Sequence, residues 1–168
     1  MQINILKLRN APGEKLTFDF SSAMDDIEVS GQHFRFVGPV AATGEVVSRD
    51  NYFQVKGVTK ATILTSCNNC LESFALEVEG SLEEIYARNE EIVQADLASE
   101  AIGFLGDVIN IEPEVSKSLI IELPMRLICS PECQGLCQQC GSNLNKTQCN
   151  CQNETIDPRL AVLKKLQQ

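Results

Sequence analysis

The stretch VAATGEVVSRDNYFQVKGVTKATILT, residues 40–65, has the pattern of a long β-hairpin. Its arms, Val40–Val47 and Tyr52–Thr65, are rich in the β-branched and aromatic residues that favour extended strands. The four residues between them, Ser48 to Asn51, are polar and typical of a turn. We therefore predict that the first half of the chain is mainly antiparallel β-structure.

Alternating apolar residues predict two short strands before this hairpin. Ile3 and Ile5 mark the first strand, and the segment KLTFDF, residues 15–20, marks the second. A period of two places alternate side chains on one face of a sheet. The region around Gly31 is interpreted as a polar turn, in which His33 is expected to be an exposed loop residue.

The segment after the hairpin is expected to continue the sheet. Alternating apolar residues predict a strand over Ser73–Tyr86, with a helix as the alternative for Leu82–Arg88. Residues 94–106 have small side chains and weak periodicity, and they are interpreted as a loop or a short helix.

Proline and acidic residues predict the starts of two helices. The first runs over Glu112–Leu123, with Pro113 in its first turn and Pro124 ending it, and one apolar face is expected to cover the sheet. The second is a short helix at the end of the chain, where Asp157 caps the N-terminus and Pro158 fits the first turn. The fold class predicted is α+β, an antiparallel sheet or small open barrel covered by a helix.

Six of the eight cysteines lie within CSPECQGLCQQCGSNLNKTQCNC, residues 129–151. Two thiolates separated by two residues can hold one ion, and a glycine after the second lets the backbone point amide donors at the sulfurs. Four such sulfurs satisfy tetrahedral zinc. One predicted site has this pattern: Cys137, Cys140, Cys149 and Cys151. The remaining four would form a second site: Cys67, Cys70, Cys129 and Cys133.

About two structural zinc ions per chain are therefore expected. Only Leu136 and Leu144 are sizeable apolar residues between Cys129 and Cys151, so metal–ligand bonds are the expected source of order there. A site that includes the cysteines of the hairpin turn would attach the C-terminal segment to the sheet. The pairing stays open, since Cys129 and Cys133 could instead share an ion with Cys149 and Cys151, leaving Cys137 and Cys140 to partner the hairpin.

Other uses of the cysteines fit the sequence less well. An iron centre would use the same thiolates, but nothing in the sequence indicates electron transfer. A thiol–disulfide enzyme would place Cys-x-x-Cys at a helix start in a βαβ unit, and neither pair has that context. Cysteine nucleophile chemistry needs a histidine base, for which His33 is the one candidate. No catalytic constellation is found, so the protein is expected not to be an enzyme or to bind a small-molecule substrate.

The charge is unevenly distributed along the chain. The net charge of -9 argues against indiscriminate nucleic-acid binding, which usually needs a broad basic surface. Residues 129–168 carry three acids and four bases and are nearly neutral, whereas nine acids lie between Glu72 and Glu100. We interpret this acidic strip as a solvated face. A nucleic-acid contact is expected to use basic residues of the final helix: Arg159, Lys164 and Lys165.

The expected location is cytoplasmic and away from membranes. The first residues lack the features of a signal peptide, and no apolar run approaches the roughly 18 residues that a membrane span needs. In a reducing compartment paired cysteines more often bind metal or do redox work than form structural disulfides. Two domains are expected, a β-rich α+β domain over residues 1–125 and a cysteine-rich tail over residues 126–168.

Several motifs closely resemble the YceD family: LPMRLICSPECQGLCQQCGSNLN, residues 123–145, then CNC, then IDPRLAVLKKL, with CNNCLESF at residues 67–74. All eight cysteines fall on the positions of the family's cysteine pairs. Many relatives have proline at the position of Gln138, which would stiffen the turn but is not a ligand. Some relatives lack most of the tail cysteines.

The resemblance implies a factor in ribosome biogenesis that is needed for accumulation of large-subunit ribosomal RNA. Its expected partner is that RNA or a large-subunit ribosomal protein, which it binds without catalysis. Two alternatives stay open: a redox- or metal-responsive cysteine protein, and a structural partner-binding module without RNA contact, in which the acidic strip docks a basic ribosomal protein.

Overall fold

The computed structural model of the protein describes residues 1–8, 11–29, 31–88 and 101–151. These residues form a mainly antiparallel sheet with one helix. The elements are β1 (Gln2–Asn4), β2 (Lys15–Ser22), β3 (Ile27–Val29), β4 (Gln32–Phe36), β5 (Val40–Ser48), β6 (Phe53–Ser66), β7 (Ser73–Arg88), β8 (Ala101–Phe104), β9 (Val108–Asn110) and α1 (Glu112–Ile121).

Strand β6 is the centre of the main sheet. One edge pairs with β7 along its whole length, from Phe53 opposite Tyr86 to Ser66 opposite Ser73. The other edge pairs first with β5 and then, beyond Ala61, with β4. Strands β2 and β3 extend the sheet from β5 and β4, and β8 extends it from β7. The predicted hairpin over residues 40–65 is confirmed as β5 and β6.

Alternation along the long strands gives the sheet one covered face and one polar face. In β6, Val55, Thr59 and Ile63 are buried, whereas Lys56 and Lys60 between them are exposed. This is the pattern of a sheet with one solvated face. The buried side chains of β6 join those of β5, β7 and α1 in a single apolar core.

Helix α1 packs closely against β6 and β7. Thr59 Oγ1 and Ser118 Oγ lie 2.8 Å apart, so the two buried hydroxyls satisfy each other. A Cβ added at Gly80 would lie 2.8 Å from the Ser118 carbonyl oxygen, so glycine permits the close approach of helix and strand. The helix begins at Glu112 as predicted and covers the sheet.

Among the described strands the main sheet does not close into a barrel. Strand β2 pairs only with β5, and β8 pairs only with β7. The β7–β8 pair is parallel, unlike the other pairs. A separate two-stranded sheet joins β1 to β9, with the buried side chains of Ile3 and Ile109 opposite each other.

Some of the sequence predictions are wrong in detail. The helical alternative for Leu82–Arg88 fails because β7 continues to Arg88, with Leu82 and Tyr86 buried on one face. A strand, β8, lies at the end of the segment interpreted as a loop or short helix. His33 is exposed, but in β4 rather than in a loop, and Glu28 lies 3.7 Å from its ring.

Residues 94–100 and the predicted C-terminal helix lie outside the described residues. The division into domains at residue 125 stays a prediction. In the part of the chain that the structure describes, no helix has the length and apolar character needed to cross a membrane.

Candidate metal centres

The structure brings the eight cysteines together in two groups of four. The first, which we call the hairpin cluster, joins the β6–β7 turn to the C-terminal segment: Cys67, Cys70, Cys129 and Cys133. The second, the tail cluster, lies wholly in that segment: Cys137, Cys140, Cys149 and Cys151. Within each group all the Sγ atoms lie within 4.8 Å of one another. Of the two pairings open from the sequence, the structure has the first.

The hairpin cluster begins in a tight turn, residues 67–72, which we call the hairpin knuckle. The backbone N–H of Cys67 donates to the Glu72 carbonyl at 2.9 Å, and that of Leu71 donates to the Cys67 carbonyl at 2.9 Å. The chain can reverse so sharply because Leu71 has a left-handed backbone, with φ of 59°. The turn thereby places the Cys67 and Cys70 sulfurs on the same side.

Core packing and backbone bonds bring the other two ligands to this turn. Leu127 is buried in the core, and its carbonyl accepts a 2.7 Å hydrogen bond from the backbone N–H of Asn68. Two residues later the backbone N–H of Cys129 donates to the Cys67 sulfur at 3.4 Å. The chain then turns back toward the knuckle at Cys133.

The tail cluster begins with a second tight turn, residues 137–142, the tail knuckle. The backbone N–H of Cys137 donates to the Ser142 carbonyl at 2.8 Å, and that of Gly141 donates to the Cys137 carbonyl at 2.9 Å. Gly141 has φ of 73°, which agrees with the role predicted for a glycine after the second cysteine. Cys137 is buried, whereas Cys140 is exposed.

The sulfur spacing of the hairpin cluster fits a tetrahedral metal ion. The Sγ atoms of Cys67 and Cys133 lie 3.8 Å apart, and those of Cys70 and Cys129 lie 3.7 Å apart. Zinc–sulfur bonds of about 2.3 Å give tetrahedral sulfurs about 3.8 Å apart. A disulfide needs about 2.05 Å, so these cysteines are free thiols at metal-ligand spacing. Both clusters could hold metal ions.

Backbone and side-chain donors favour a thiolate at one cysteine of each knuckle, Cys67 and Cys140. Burial raises the pKa of the Cys67 thiol, but hydrogen bonds from backbone amides, those of Cys70 and Cys129 foremost, lower it to about 6. The Ser142 hydroxyl, 3.2 Å from the Cys140 sulfur, and then the Ser142 amide lower the pKa of Cys140 to about 6. Thiolates are the form that binds metal.

The neighbouring thiols are shifted the other way. Burial and then the thiol of Cys133 raise the pKa of Cys129 to about 12. The thiol of Cys140 and then burial raise the pKa of Cys151 to about 12. Negative charges so close together repel one another, so one ionised thiol discourages the next. A bound cation would remove this conflict, which is the electrostatic requirement of a four-cysteine site.

Several contacts link the two clusters to each other. The backbone N–H of Leu136 donates to the Asn69 carbonyl at 3.0 Å, so the segment before the tail knuckle lies on the hairpin knuckle. Lys146 Nζ lies 2.7 Å from Glu72 Oε1, and this pair lowers the pKa of Glu72. Asn145 Nδ2 donates to the Cys133 sulfur at 3.4 Å.

Sequence reasoning identified the cysteines but missed these auxiliary groups. Asn145 and Ser142 are ordinary polar residues in a polar segment, and only their hydrogen bonds to sulfur distinguish them. The run Gly-Ser-Asn-Leu-Asn after Cys140 has the composition of a turn, which is the signal that could have indicated backbone and amide donors near the thiols.

The acidic strip is largely an ion-pair surface in the described residues. Four of its glutamates each lie within 3.1 Å of a lysine nitrogen: Glu72 with Lys146, Glu79 with Lys60, Glu83 with Lys56, and Glu84 with Lys117. Two of these lysines come from β6, directly across from β7. The basic residues predicted to contact nucleic acid lie outside the described residues: Arg159, Lys164 and Lys165.

Fold and clusters together define a β-sheet protein with two four-cysteine sites that could hold metal. The model of the family described as "Large ribosomal RNA subunit accumulation protein YceD" matches residues 55–167. This match spans more than half of the chain and includes all eight cysteines. The chain belongs to the YceD family, as the resemblance predicted.

Several known proteins are similar to this chain. An uncharacterized protein of Mycobacterium tuberculosis H37Rv is 31% identical over 110 residues, 65% of this chain and 53% of that protein. The uncharacterized protein YlbN of Bacillus subtilis is 23% identical over 168 residues, 99% of this chain and 96% of its own length.

A third relative is named for ribosomal RNA accumulation. The Arabidopsis thaliana "Large ribosomal RNA subunit accumulation protein YCED homolog 1, chloroplastic" is 23% identical over 147 residues, 71% of this chain and 46% of that protein. The chain thus spans about half the length of the mycobacterial and plant relatives. No solved structure matches it.

Proposed function

We propose that this protein supports accumulation of large-subunit ribosomal RNA by binding RNA or a large-subunit ribosomal protein, without catalysing a reaction. The observation that carries the proposal is membership of the YceD family over residues 55–167. The plant relatives named for large ribosomal RNA subunit accumulation agree with it. The protein is proposed to act in the cytoplasm, in the assembly of ribosomes.

The two cysteine clusters are proposed to hold one structural zinc ion each. In each group the four sulfurs lie within 4.8 Å of one another, and neither group includes a histidine or carboxylate ligand among the described residues, which fits a closed structural site. When bound, zinc would supply cross-links that join the tail to the sheet. Elemental analysis of protein purified without added metal should find about two zinc ions per chain. Freely titrating thiols without zinc would refute this part.

The surroundings of His33 support binding rather than catalysis. It is the single histidine of the sequence, and its exposed ring lies beside Glu28 on the β3–β4 hairpin. A cysteine nucleophile would need a base within hydrogen-bond reach. Among the described residues the group beside this ring is the Glu28 carboxylate and not a cysteine.

The partner surface is proposed to lie in the C-terminal tail. RNA contact by Arg159, Lys164 and Lys165 agrees with the nearly neutral charge of residues 129–168, since the sheet domain is acidic and repels phosphate. Pairing of the acidic strip with lysines reduces its attraction for a basic protein, which favours the tail over the strip. Replacing Lys164 and Lys165 by Glu should weaken RNA association without changing thermal stability.

Depletion of the protein in cells tests the proposed function. The ratio of large-subunit to small-subunit ribosomal RNA should fall, and wild-type protein should restore it. The Lys164→Glu/Lys165→Glu variant should restore it poorly, whereas a matched charge reversal in the sheet domain, Lys7→Glu/Arg49→Glu, at exposed positions outside the ion pairs of the described residues, should restore it fully. An unchanged ratio with normal subunit profiles would refute the proposed function, and full rescue by the tail variant would refute the tail as partner surface.

One observation favours a redox-responsive protein as the second candidate. Cys140 is exposed, and its pKa is lowered to about 6, so part of its reactivity would be that of a thiolate. A metal ligand has the same properties, and reactivity of the metal-loaded protein separates the two. Rapid, reversible oxidation of Cys140 with metal retained would favour the redox candidate.

A further inference from the structure

The two clusters share a short connecting segment. Cys133 belongs to the hairpin cluster and Cys137 to the tail cluster, and the four-residue step between them spans at most about 14 Å. Gly135 in this step has φ of 74°, and a Cβ added there would lie 3.1 Å from the Asn69 carbonyl oxygen. The connecting segment is therefore fitted closely to the hairpin knuckle.

The clusters differ in how far the fold itself positions their ligands. Cys67 and Cys70 lie in the turn between Ser66 and Ser73, the last pair of the β6–β7 ladder, and both are buried. The tail cluster has no strand or helix among the described residues 134–151. Its knuckle is anchored to the rest of the molecule through Leu136 and the connecting segment.

Asn145 joins the loop of the tail cluster to a ligand of the hairpin cluster. It lies between Cys140 and Cys149 in sequence, yet its Nδ2 donates to the Cys133 sulfur at 3.4 Å. Its Oδ1 accepts a 2.8 Å hydrogen bond from the backbone N–H of Gln134. One exposed amide thus bonds to both the sulfur and the backbone beside it.

We propose that the two metal sites are one coupled unit, which fills from the hairpin cluster to the tail cluster, and that Asn145 carries the coupling. The inference rests on the proposed metal role of the cysteines and does not depend on the RNA function. A metal ion in the hairpin cluster fixes Cys133 and the connecting segment, and this brings Cys137 into place. In return, an ordered tail loop holds Asn145 against the Cys133 thiolate.

Coupling of this kind is reciprocal. If the filled hairpin cluster raises the metal affinity of the tail cluster, the filled tail cluster raises that of the hairpin cluster by the same factor. Groups that hydrogen-bond to metal ligands typically change metal affinity by about 10–100-fold. Removal of the Asn145 donor should therefore weaken the hairpin cluster even though Asn145 is not a ligand.

Cadmium-113 titration of the metal-free full-length protein tests the filling order, because each four-cysteine site gives its own resonance. The two resonances are assigned with Cys70→Ser and Cys140→Ser, which each remove one ligand of one cluster. In the wild type the hairpin resonance should appear first and the tail resonance second. Cys140→Ser should retain one tight site, whereas Cys70→Ser should weaken the intact tail cluster at least tenfold.

The role of Asn145 is tested with Asn145→Asp, which keeps the acceptor for Gln134 and removes the Nδ2 donor to the Cys133 sulfur and to Asn143 Oδ1. We expect an affinity loss of about tenfold or more at the hairpin cluster and a shift of its cadmium resonance, with two ions still bound. The matched control is Asn51→Asp, an exposed change of equal charge in the β5–β6 turn, which should alter neither.

Each result decides one part of the proposal. Filling of the tail cluster first, or equal filling of both, would overturn the filling order, and a tail cluster unaffected by Cys70→Ser would overturn the coupling. A hairpin resonance and affinity unchanged by Asn145→Asp would overturn the role of Asn145. Failure of either cluster to bind cadmium or zinc would refute the proposed metal role itself, whatever the ribosomal RNA ratio shows.

Discussion

The hairpin knuckle and the tail knuckle have the same backbone structure in different surroundings. In each, the first cysteine donates its N–H to the carbonyl five residues on, and its carbonyl accepts from the residue after the second cysteine, which has positive φ. That residue is Leu71 in one knuckle and Gly141 in the other. The hairpin knuckle ends a long ladder of paired strands, whereas the tail knuckle has no such ladder among the described residues.

The electrostatic pattern is repeated at the first cysteine of each knuckle. Backbone amides two and three residues on lower the pKa of the first cysteine of each knuckle, Cys67 and Cys137. The second cysteines differ: the Ser142 hydroxyl and then its amide lower the pKa of Cys140, whereas at Cys70 the lowering by the Glu72 amide is outweighed by burial and the neighbouring thiols, so the pKa of Cys70 is raised. The comparison teaches that six residues suffice to shape a two-thiolate turn, while the source of its stability is set by what lies around it.

The largest difference between the knuckles should appear when metal is removed. A strong chelator should abolish hydrogen-exchange protection in the tail knuckle, because ligand bonds are its main source of order. Amides of β6 and β7, held by the ladder and the core, should keep most of their protection. Cys140→Ser should reproduce the tail effect and spare the sheet.

Equal loss of protection in the sheet and in the tail would contradict this difference. The measurement is hydrogen exchange followed by mass spectrometry, with peptides from β2 and β5 as internal controls. Their protection should not depend on metal, since no cysteine lies in either strand.

A smaller effect is expected when the packing of α1 against the sheet is disturbed. Gly80→Ala would place a methyl group 2.7 Å from Thr59 Oγ1 and 2.8 Å from the Ser118 carbonyl oxygen. Because α1 must move away from β7, the free energy of unfolding should fall by about 1–3 kcal/mol in chemical denaturation. The comparison variant is Ala41→Gly, which changes one methyl group at a half-buried site of β5. Gly13→Ala is unsuitable as a control because Gly13 has positive φ.

Replacing Gly141 of the tail knuckle with alanine should cost more than the open space around it suggests. Nothing lies within 4 Å of a Cβ added at Gly141, yet its φ of 73° is unfavourable for alanine. Gly141→Ala should therefore cost roughly 1–2 kcal/mol of tail stability, seen as weaker zinc binding in competition with a chelator. Wild-type zinc affinity in this variant would show that the turn can relax at no cost.

The converse change in the hairpin knuckle should give the smallest effect and the opposite sign. Leu71 is 67% exposed and has φ of 59°, so its side chain adds strain and little burial. Leu71→Gly should remove strain of roughly 1–2 kcal/mol but increase the entropy of the unfolded chain. We expect a net gain of about 0.5 kcal/mol in the free energy of unfolding, and a loss would indicate that the exposed leucine makes a stabilising contact.

Local patterns in the sequence predicted the parts of the molecule that depend on neighbouring residues. The β5–β6 hairpin, the strand from Ser73 and the helix from Glu112 follow from periodicity and from proline position. The Cys-x-x-Cys pairs predicted the knuckles for the same reason. The pairing of clusters could not be settled, because it depends on Leu127 in the core and its bond to Asn68.

The elements that sequence reasoning missed depend on distant partners. Strand β9 is three residues long and pairs with β1 across more than one hundred residues, so it has no local signal of its own, whereas the alternation of Ile3 and Ile5 predicted β1. Strand β8 is defined by parallel pairing with β7. Strand β4 had a signal, since Phe34 and Phe36 alternate with polar residues, but the polar turn at Gly31 obscured it.

The span between the two halves of the hairpin cluster has a consequence for synthesis of the chain. Cys70 and Cys129 are 59 residues apart, so translation at about 5–20 residues per second separates their appearance by roughly 3–12 s. A β-hairpin forms in about 1–10 μs, so the first knuckle can fold long before its other two ligands exist. Throughout that interval the nascent chain carries a folded turn with two free thiols, Cys67 and Cys70, which a metal donor or an oxidant can reach. The tail that completes the site is synthesised last.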